Sequence, residues 1–173
     1  MNTNTPQSPQ QLLNLLSGIG IKANTQTHTP VMTVAESQAL RGSIPGLHSK
    51  NLFLKDKKGQ LWLVVAQEDR TIDLKHLRKM IGAGTLSFGK ADILLEVLGV
   101  TPGSVTPFAA INDQEGRVRV VLDKALADGE HVSFHPLINT QTTTISGSDL
   151  LHFLHHIEHA PLVLDFEAQT EIS

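Results

Sequence analysis

KNLFLKDKKGQLWLVVA, residues 50–66, decides the fold. Residues 51–55 and 61–66 are two β-prone runs, and DKKGQ at 56–60 joins them with the Asp and Gly of a hairpin turn. The chain's single tryptophan, Trp62, lies in the second run. Lys50 opens the first, a cation ahead of apolar Leu52, Phe53 and Leu54. Upstream, Leu12, Leu13, Leu15 and Leu16 mark an amphipathic helix over 8–18, stopped by Gly18 and Gly20. A strand over 21–28 follows. Thr33 and Glu36 have the spacing of a capping box, which predicts a short helix to about Leu40. Gly42, Pro45 and Gly46 then break the chain into a loop that delivers Lys50.

Downstream, Leu74, Leu77 and Ile81 share one face of a helix over 73–81, while Lys75, His76, Arg78 and Lys79 cover much of the rest. A helix over 90–98 ends at Gly99, ahead of the loop GSVTP at 103–107. Strands are expected near 108–112, 117–122, 131–135 and 141–146. Ser148 is positioned to cap a last helix to about His156, and Pro161 precedes a final strand in LVLDF. The strands cluster instead of alternating strictly with helices. The expectation is therefore an α+β fold in a single domain over 1–173, with a core from about 8 to 166 and a mixed, mostly antiparallel sheet flanked by helices.

Composition narrows the function classes. A chain of 173 residues can bury roughly 70% of its unfolded surface in one domain. It holds no cysteine, which excludes disulfides, thiolate catalysis and cysteine zinc sites. MNTNTPQSPQ lacks the basic start and apolar run of a secretory signal, and no apolar stretch reaches the ~18 residues of a membrane span. A soluble cytoplasmic protein without membrane contact is expected. The net charge of −3 is uneven: residues 50–90 hold nine Lys/Arg against four Asp/Glu, while the rest of the chain is acidic. Such a basic sector either covers solvated faces or engages a phosphate backbone.

Several segments carry candidate chemistry. His155, Glu158 and His159 spell H-x-x-E-H, an inverted zincin pattern, but they sit among four histidines in eight residues just ahead of Pro161. Histidines near a helix C-terminus interact favourably with its dipole, and no metal or cofactor is expected. Ser104 lacks the G-x-S-x-G context of a serine nucleophile. Its loop is either an ordinary turn or a shaped backbone that aims N–H groups at a developing oxyanion. Lys50 is either solvated or a point charge for phosphate or a polarised carbonyl. His135 is either structural or in contact with substrate. The polar run from Asn139 through Thr144 offers hydrogen-bonding groups, though threonines also suit a sheet.

Together, Lys50-Asn51 in SKNLFL, Gly103 and Pro107 in GSVTP, Asn112-Asp113, and His135-Pro136 with Asn139 in FHPLIN resemble the YbaK-like aminoacyl-tRNA editing family, in its freestanding prolyl-tRNA editing branch. The likeness runs over roughly 20–166. It implies a barrel-like mixed sheet and hydrolysis, in trans to the synthetase, of alanine mischarged onto proline tRNA. It makes Lys50, Gly103 and Pro107 the catalytic positions, with Asn51, Ser104, Val105 and His135 lining the substrate site. Lys75, Arg78 and Lys79 become candidate contacts to the tRNA acceptor end, and prolyl-tRNA synthetase a candidate transient partner. Editing of serine, cysteine or threonine on tRNA, or a noncatalytic tRNA-binding module, is the alternative.

Overall fold

The computed structural model describes residues 5–30 and 34–167. Helix α1 (Pro9–Gly18) starts where Ser8 and Gln11 form a reciprocal capping box with proline in the first turn, and it buries Leu12 and Leu16 one turn apart. Strand β1 (Asn24–Thr27) is shorter than the 21–28 expected. Helix α2 (Val34–Ser43) matches the second helix, although its expected cap, Thr33, lies outside the described residues. Strands β2 (Leu47–Asp56) and β3 (Leu61–Gln67) form the hairpin, in antiparallel register from Ser49 opposite Gln67 to Lys55 opposite Leu61. Lys50 therefore lies inside its strand and does not open it. The strand begins earlier because Leu47 and His48 pair with a distant segment.

Helix α3 (Leu74–Ile81) is capped by Asp73, whose carboxylate accepts from the Lys75 N–H. Strand β4 (Leu86–Phe88) was not expected, being only three residues long. Helix α4 (Ala91–Leu98) ends at Gly99 as anticipated. The strand expected near 108–112 is instead a 3-10 helix, Pro107–Asn112, preceded by a 3-10 turn at Pro102–Ser104. Proline at the first position of each favours a helical start, and PFAAI buries its apolar groups without a strand partner. Then come β5 (Val118–Asp123), a short unforeseen helix α5 (Lys124–Ala127), β6 (Val132–Phe134) and β7 (Gln141–Ile145). The cap of α6 (Gly147–His156) is Ser146, not Ser148: the Ser146 hydroxyl accepts from the Asp149 N–H at 3.0 Å. Strand β8 (Leu162–Leu164) completes the sheet.

The strands run in the order β1-β7-β6-β2-β3-β5-β8, with β4 also on β2. Antiparallel ladders join β1 to β7, β6 to β7, and β2 to β3 and β4; parallel ones join β2 to β6, β3 to β5 and β5 to β8. In the β3 run LWLVVA all six side chains are buried, because both faces of the sheet are covered. Leu61, Leu63 and Val65 face a core with α1, α4 and α6, whereas Trp62, Val64 and Ala66 face a second cluster with Leu77 and Phe166.

Asp56 holds the hairpin turn to the chain after α3. Its carboxylate accepts from the N–H groups of Lys58 and Gln60 at 2.9 and 3.0 Å, and from the Trp62 indole and Gly84 N–H at 3.3 and 3.2 Å. Burial acts to raise its pKa, but these four donors together hold it below the ordinary carboxylate value. Its stabilisation is therefore present at neutral pH and is lost as pH falls through that lowered value. Asp56→Asn turns an amide N–H₂ toward backbone donors. It should cost about 2 kcal/mol in urea unfolding at pH 7; an unchanged unfolding midpoint would contradict this role.

Candidate active site

Strand β2 changes partner along one edge. Leu47 and His48 pair with β6, and Leu54 to Asp56 pair with β4. Between these ladders residues 49–53 have no strand neighbour on that edge among the described residues, while β3 holds their other edge throughout. A cavity of about 280 Å³ opens there. Lys50 and Asn51 of β2, Gly103 and Val105 of the GSVTP loop, and His135 after β6 all line it. Residues far apart in sequence thus meet in one place.

The Lys50 ammonium makes no hydrogen bond or ion pair with any described residue. Asn51 donates to the Ser49 hydroxyl at 3.3 Å, and its buried Oδ1 has no partner among the described residues. His135 Nδ1 lies 2.9 Å from the Gln141 carbonyl, which can only accept, so this nitrogen carries the proton. Burial pushes the His135 pKa down; the Gln141 contact opposes this, and nearby His28, with ring centroids 6.4 Å apart, adds to it. At neutral pH His135 is an uncharged imidazole whose Nε2 presents a lone pair. His28 in turn lies 2.7 Å from the hydroxyl of Thr142, another residue of the cavity wall.

The GSVTP loop divides its labour. The Ser104 N–H is taken by the Thr101 carbonyl at 2.9 Å, and Ser104, 5% exposed, is not among the residues that line the cavity. Ser104 is thus no nucleophile facing this site. Thr106 caps the following 3-10 helix, accepting from the Phe108 N–H at 3.3 Å, and Pro107 is buried at its first position. Pro107 shapes the backbone without lining the cavity. Gly103 does line it, and a Cβ there would come within 3.2 Å of the Asn139 amide nitrogen. A side chain at 103 would thus need the Asn139 amide of FHPLIN to give by a few tenths of an ångström.

The model of the aminoacyl-tRNA editing domain matches residues 28–153. The chain belongs to that family. Prolyl-tRNA synthetase associated domain-containing protein 1 of Danio rerio is 38% identical over 160 residues, covering 91% of this chain and 87% of its own. Prolyl-tRNA editing protein ProX of Acetoanaerobium sticklandii is 39% identical over 142 residues, covering 82% of this chain and 87% of its own. Among solved structures, a candidate trans-editing enzyme for prolyl tRNA synthetase matches with a TM-score of 0.69 over 95% of this chain and 97% of its own. At 17% identity, that likeness shows the fold.

Other residues of the editing domain fall outside the cavity. Lys75, Arg78 and Lys79 lie on α3, away from its wall. Asn112 is structural: it accepts from the Gln7 N–H and donates to the Leu98 carbonyl, both at 2.9 Å. The threonine run forms β7, where Thr143 and Thr25 share a hydrogen bond across the strands at 2.7 Å. Conversely, His48, Ser49, Glu68 and Ser133 join the cavity wall. Glu68 was findable from the hairpin, since its N–H donates to the His48 carbonyl just beyond the register expected. Ser133 arrives through the parallel β2–β6 pairing, which leaves no local pattern in sequence.

The H-x-x-E-H residues do not converge. Helix α6 stops at His156, His155 and Glu158 are exposed, and His159 turns inward to Asp113 at 2.9 Å. Asp113 also accepts from the N–H groups of Arg117 and Val118. The Asp113 contact raises the His159 pKa above 6.5, with burial opposing. For Asp113, burial acts upward, yet His159 and the two backbone donors hold it below 3.8. The charged pair therefore stabilises the fold fully between those ordinary values. That contribution fades as pH rises through the raised His159 value or falls through the lowered Asp113 value. His159→Gln should cost about 3 kcal/mol at pH 5.5 and clearly less at pH 8.5, read from urea unfolding. An equal loss at both would show that the ion pair is not what His159 contributes.

Proposed function

We propose that this editing domain is a trans-acting deacylase that hydrolyses alanine mischarged onto proline tRNA. One observation carries this: Lys50, Asn51, Gly103, Val105 and His135 line a single small cavity at the open edge of β2. Its roughly 280 Å³ lies just under the ~300–1,000 Å³ usual for ligand pockets, which favours a small side chain on a terminal ribose. The names of the Danio rerio and Acetoanaerobium sticklandii relatives support the proline branch and a transient link to prolyl-tRNA synthetase.

An aminoacyl ester is already activated, so positioning and electrostatics suffice. Water attacks the carbonyl carbon and the carbonyl oxygen becomes an oxyanion. The bond to the ribose oxygen then breaks, and that oxygen leaves with a proton. Lys50 positions the aminoacylated 3′ end as a point charge. Gly103 stands in the first turn of a 3-10 helix, where an N–H has no carbonyl behind it in the helix, and it serves as a donor to the oxyanion. The vicinal ribose hydroxyl relays the proton from water to the leaving oxygen. Neutral His135 offers its Nε2 lone pair to an N–H or O–H of the substrate. Lys75, Arg78 and Lys79 hold acceptor-stem phosphates, contacts that position RNA without reading its sequence. Editing is needed because a synthetase pocket rejects a smaller apolar competitor by only ~1–3 kcal/mol per missing methylene.

Ester loss from a panel of tRNAs charged with alanine, serine, cysteine, threonine or proline tests this. Alanine on proline tRNA should be released fastest. Lys50→Ala should slow that release at least about a hundredfold with the melting temperature kept. Release no faster than in buffer sinks the deacylase reading. A Lys50→Ala variant that loses only tRNA affinity would favour a noncatalytic module.

A further inference from the structure

The edge of β2 that carries the cavity continues into β4, and there the surface changes character. Phe88 is 64% exposed, the most exposed of the large apolar side chains among the described residues. It is held outward by its backbone. Phe88 pairs with Leu54 in register, and the next residue, Gly89, donates its N–H to the Phe53 carbonyl at 2.9 Å. A Cβ on Gly89 would run into the Phe53 ring, so only glycine lets the chain lie this close. Phe88 shares a concavity of about 480 Å³ with Lys55, Lys57 and Lys90. These three lysines are exposed, and none makes an ion pair with a described residue. Asp56, also in that concavity, is buried and already accepts four hydrogen bonds.

Lys55 sits in β2 between β3 and β4, Lys57 in the hairpin turn and Lys90 at the N-cap of α4, so none lies on the edge strand β4 itself. Lysines on an edge strand commonly guard against edge-to-edge pairing. That guard accounts neither for these charges nor for a phenylalanine displayed beside them. An exposed ring between unpaired cations is the combination that binds an unpaired nucleic-acid strand: bases stack on the ring and lysines meet the phosphates. Location agrees. Even-numbered residues of β2 share a face, so Lys50, Leu54 and, through the register, Phe88 lie on one side of the sheet, while Lys55, opposite Ser87, belongs to the other side and joins Phe88 in the concavity at the sheet edge. The four residue steps from Lys50 to Leu54 span about 13 Å, within reach of a strand a few nucleotides long.

We propose that Phe88, flanked by Lys55, Lys57 and Lys90, is a stacking platform for the unpaired 3′ strand of the tRNA whose aminoacyl end occupies the Lys50 cavity. This rests on the deacylase reading for its choice of RNA, but binding of uncharged tRNA tests it without any turnover. Fluorescence anisotropy would compare proline tRNA with the same tRNA lacking its unpaired 3′ nucleotides. Phe88→Ala should weaken binding of the intact tRNA about tenfold, Phe88→Trp should restore it, and the trimmed tRNA should bind wild type and Phe88→Ala alike. Melting temperatures control for folding. Intact tRNA bound equally by Phe88→Ala, or an equal loss on the trimmed tRNA, overturns the platform. A wild-type protein that shows the Phe88-dependent binding without releasing alanine keeps the platform and sinks the deacylase reading. Alanine release together with Phe88-independent binding does the reverse.

Discussion

Strand β2 has one continuous partner on one edge and two different partners on the other. The β3 ladder fixes every residue from Ser49 to Lys55, while β6 and β4 grip only the two ends of the opposite edge. Backbone groups left between those grips need other partners. The Phe53 carbonyl meets part of that need by accepting from Gly89, and the Ser49 side chain bridges to β6, its hydroxyl donating to the Ser133 carbonyl at 3.1 Å. Ser49, Lys50 and Asn51 of this stretch line the cavity. The site is thus an interruption in the sheet's own hydrogen bonding, made rigid by the uninterrupted edge behind it.

The buried carboxylates explain why the chemistry must come from elsewhere. Asp56 holds a hairpin and Asp113 holds His159 and two backbone donors. Asp123 holds Arg70, the Gln67 N–H and the N-terminus of α5. Each is committed to the fold. The cavity wall holds a lysine ammonium with no ion-pair partner among the described residues, the Glu68 side chain, an uncharged imidazole of fixed tautomer and backbone from a proline-framed loop. Those parts suit an ester that needs orientation and charge stabilisation more than a strong base.

Much of this was legible where interactions are local. The hairpin, α1, α3 and α4 follow from apolar spacing, caps and turn residues that act within a few positions. The failures share a cause. PFAAI carries a strand's composition but lies behind two prolines in a 3-10 helix. Strand β4 is too short to show a pattern, and Lys50 lies inside its strand because of a parallel pairing with β6, more than 80 residues away. Of the candidate site, Lys50, Asn51, Gly103, Val105 and His135 were found through the combination of motifs. Ser104 and Pro107 belong to the same motif yet serve its backbone, a distinction that only their burial reveals.

The central claim is that the open edge of β2 receives the aminoacyl end of tRNA. Amide chemical-shift mapping with adenosine carrying alanine through a nonhydrolysable 3′-amide tests it most directly. The account predicts saturable shifts concentrated at residues 48–52, 102–105 and 133–135. Shifts centred on another face of the sheet would contradict it.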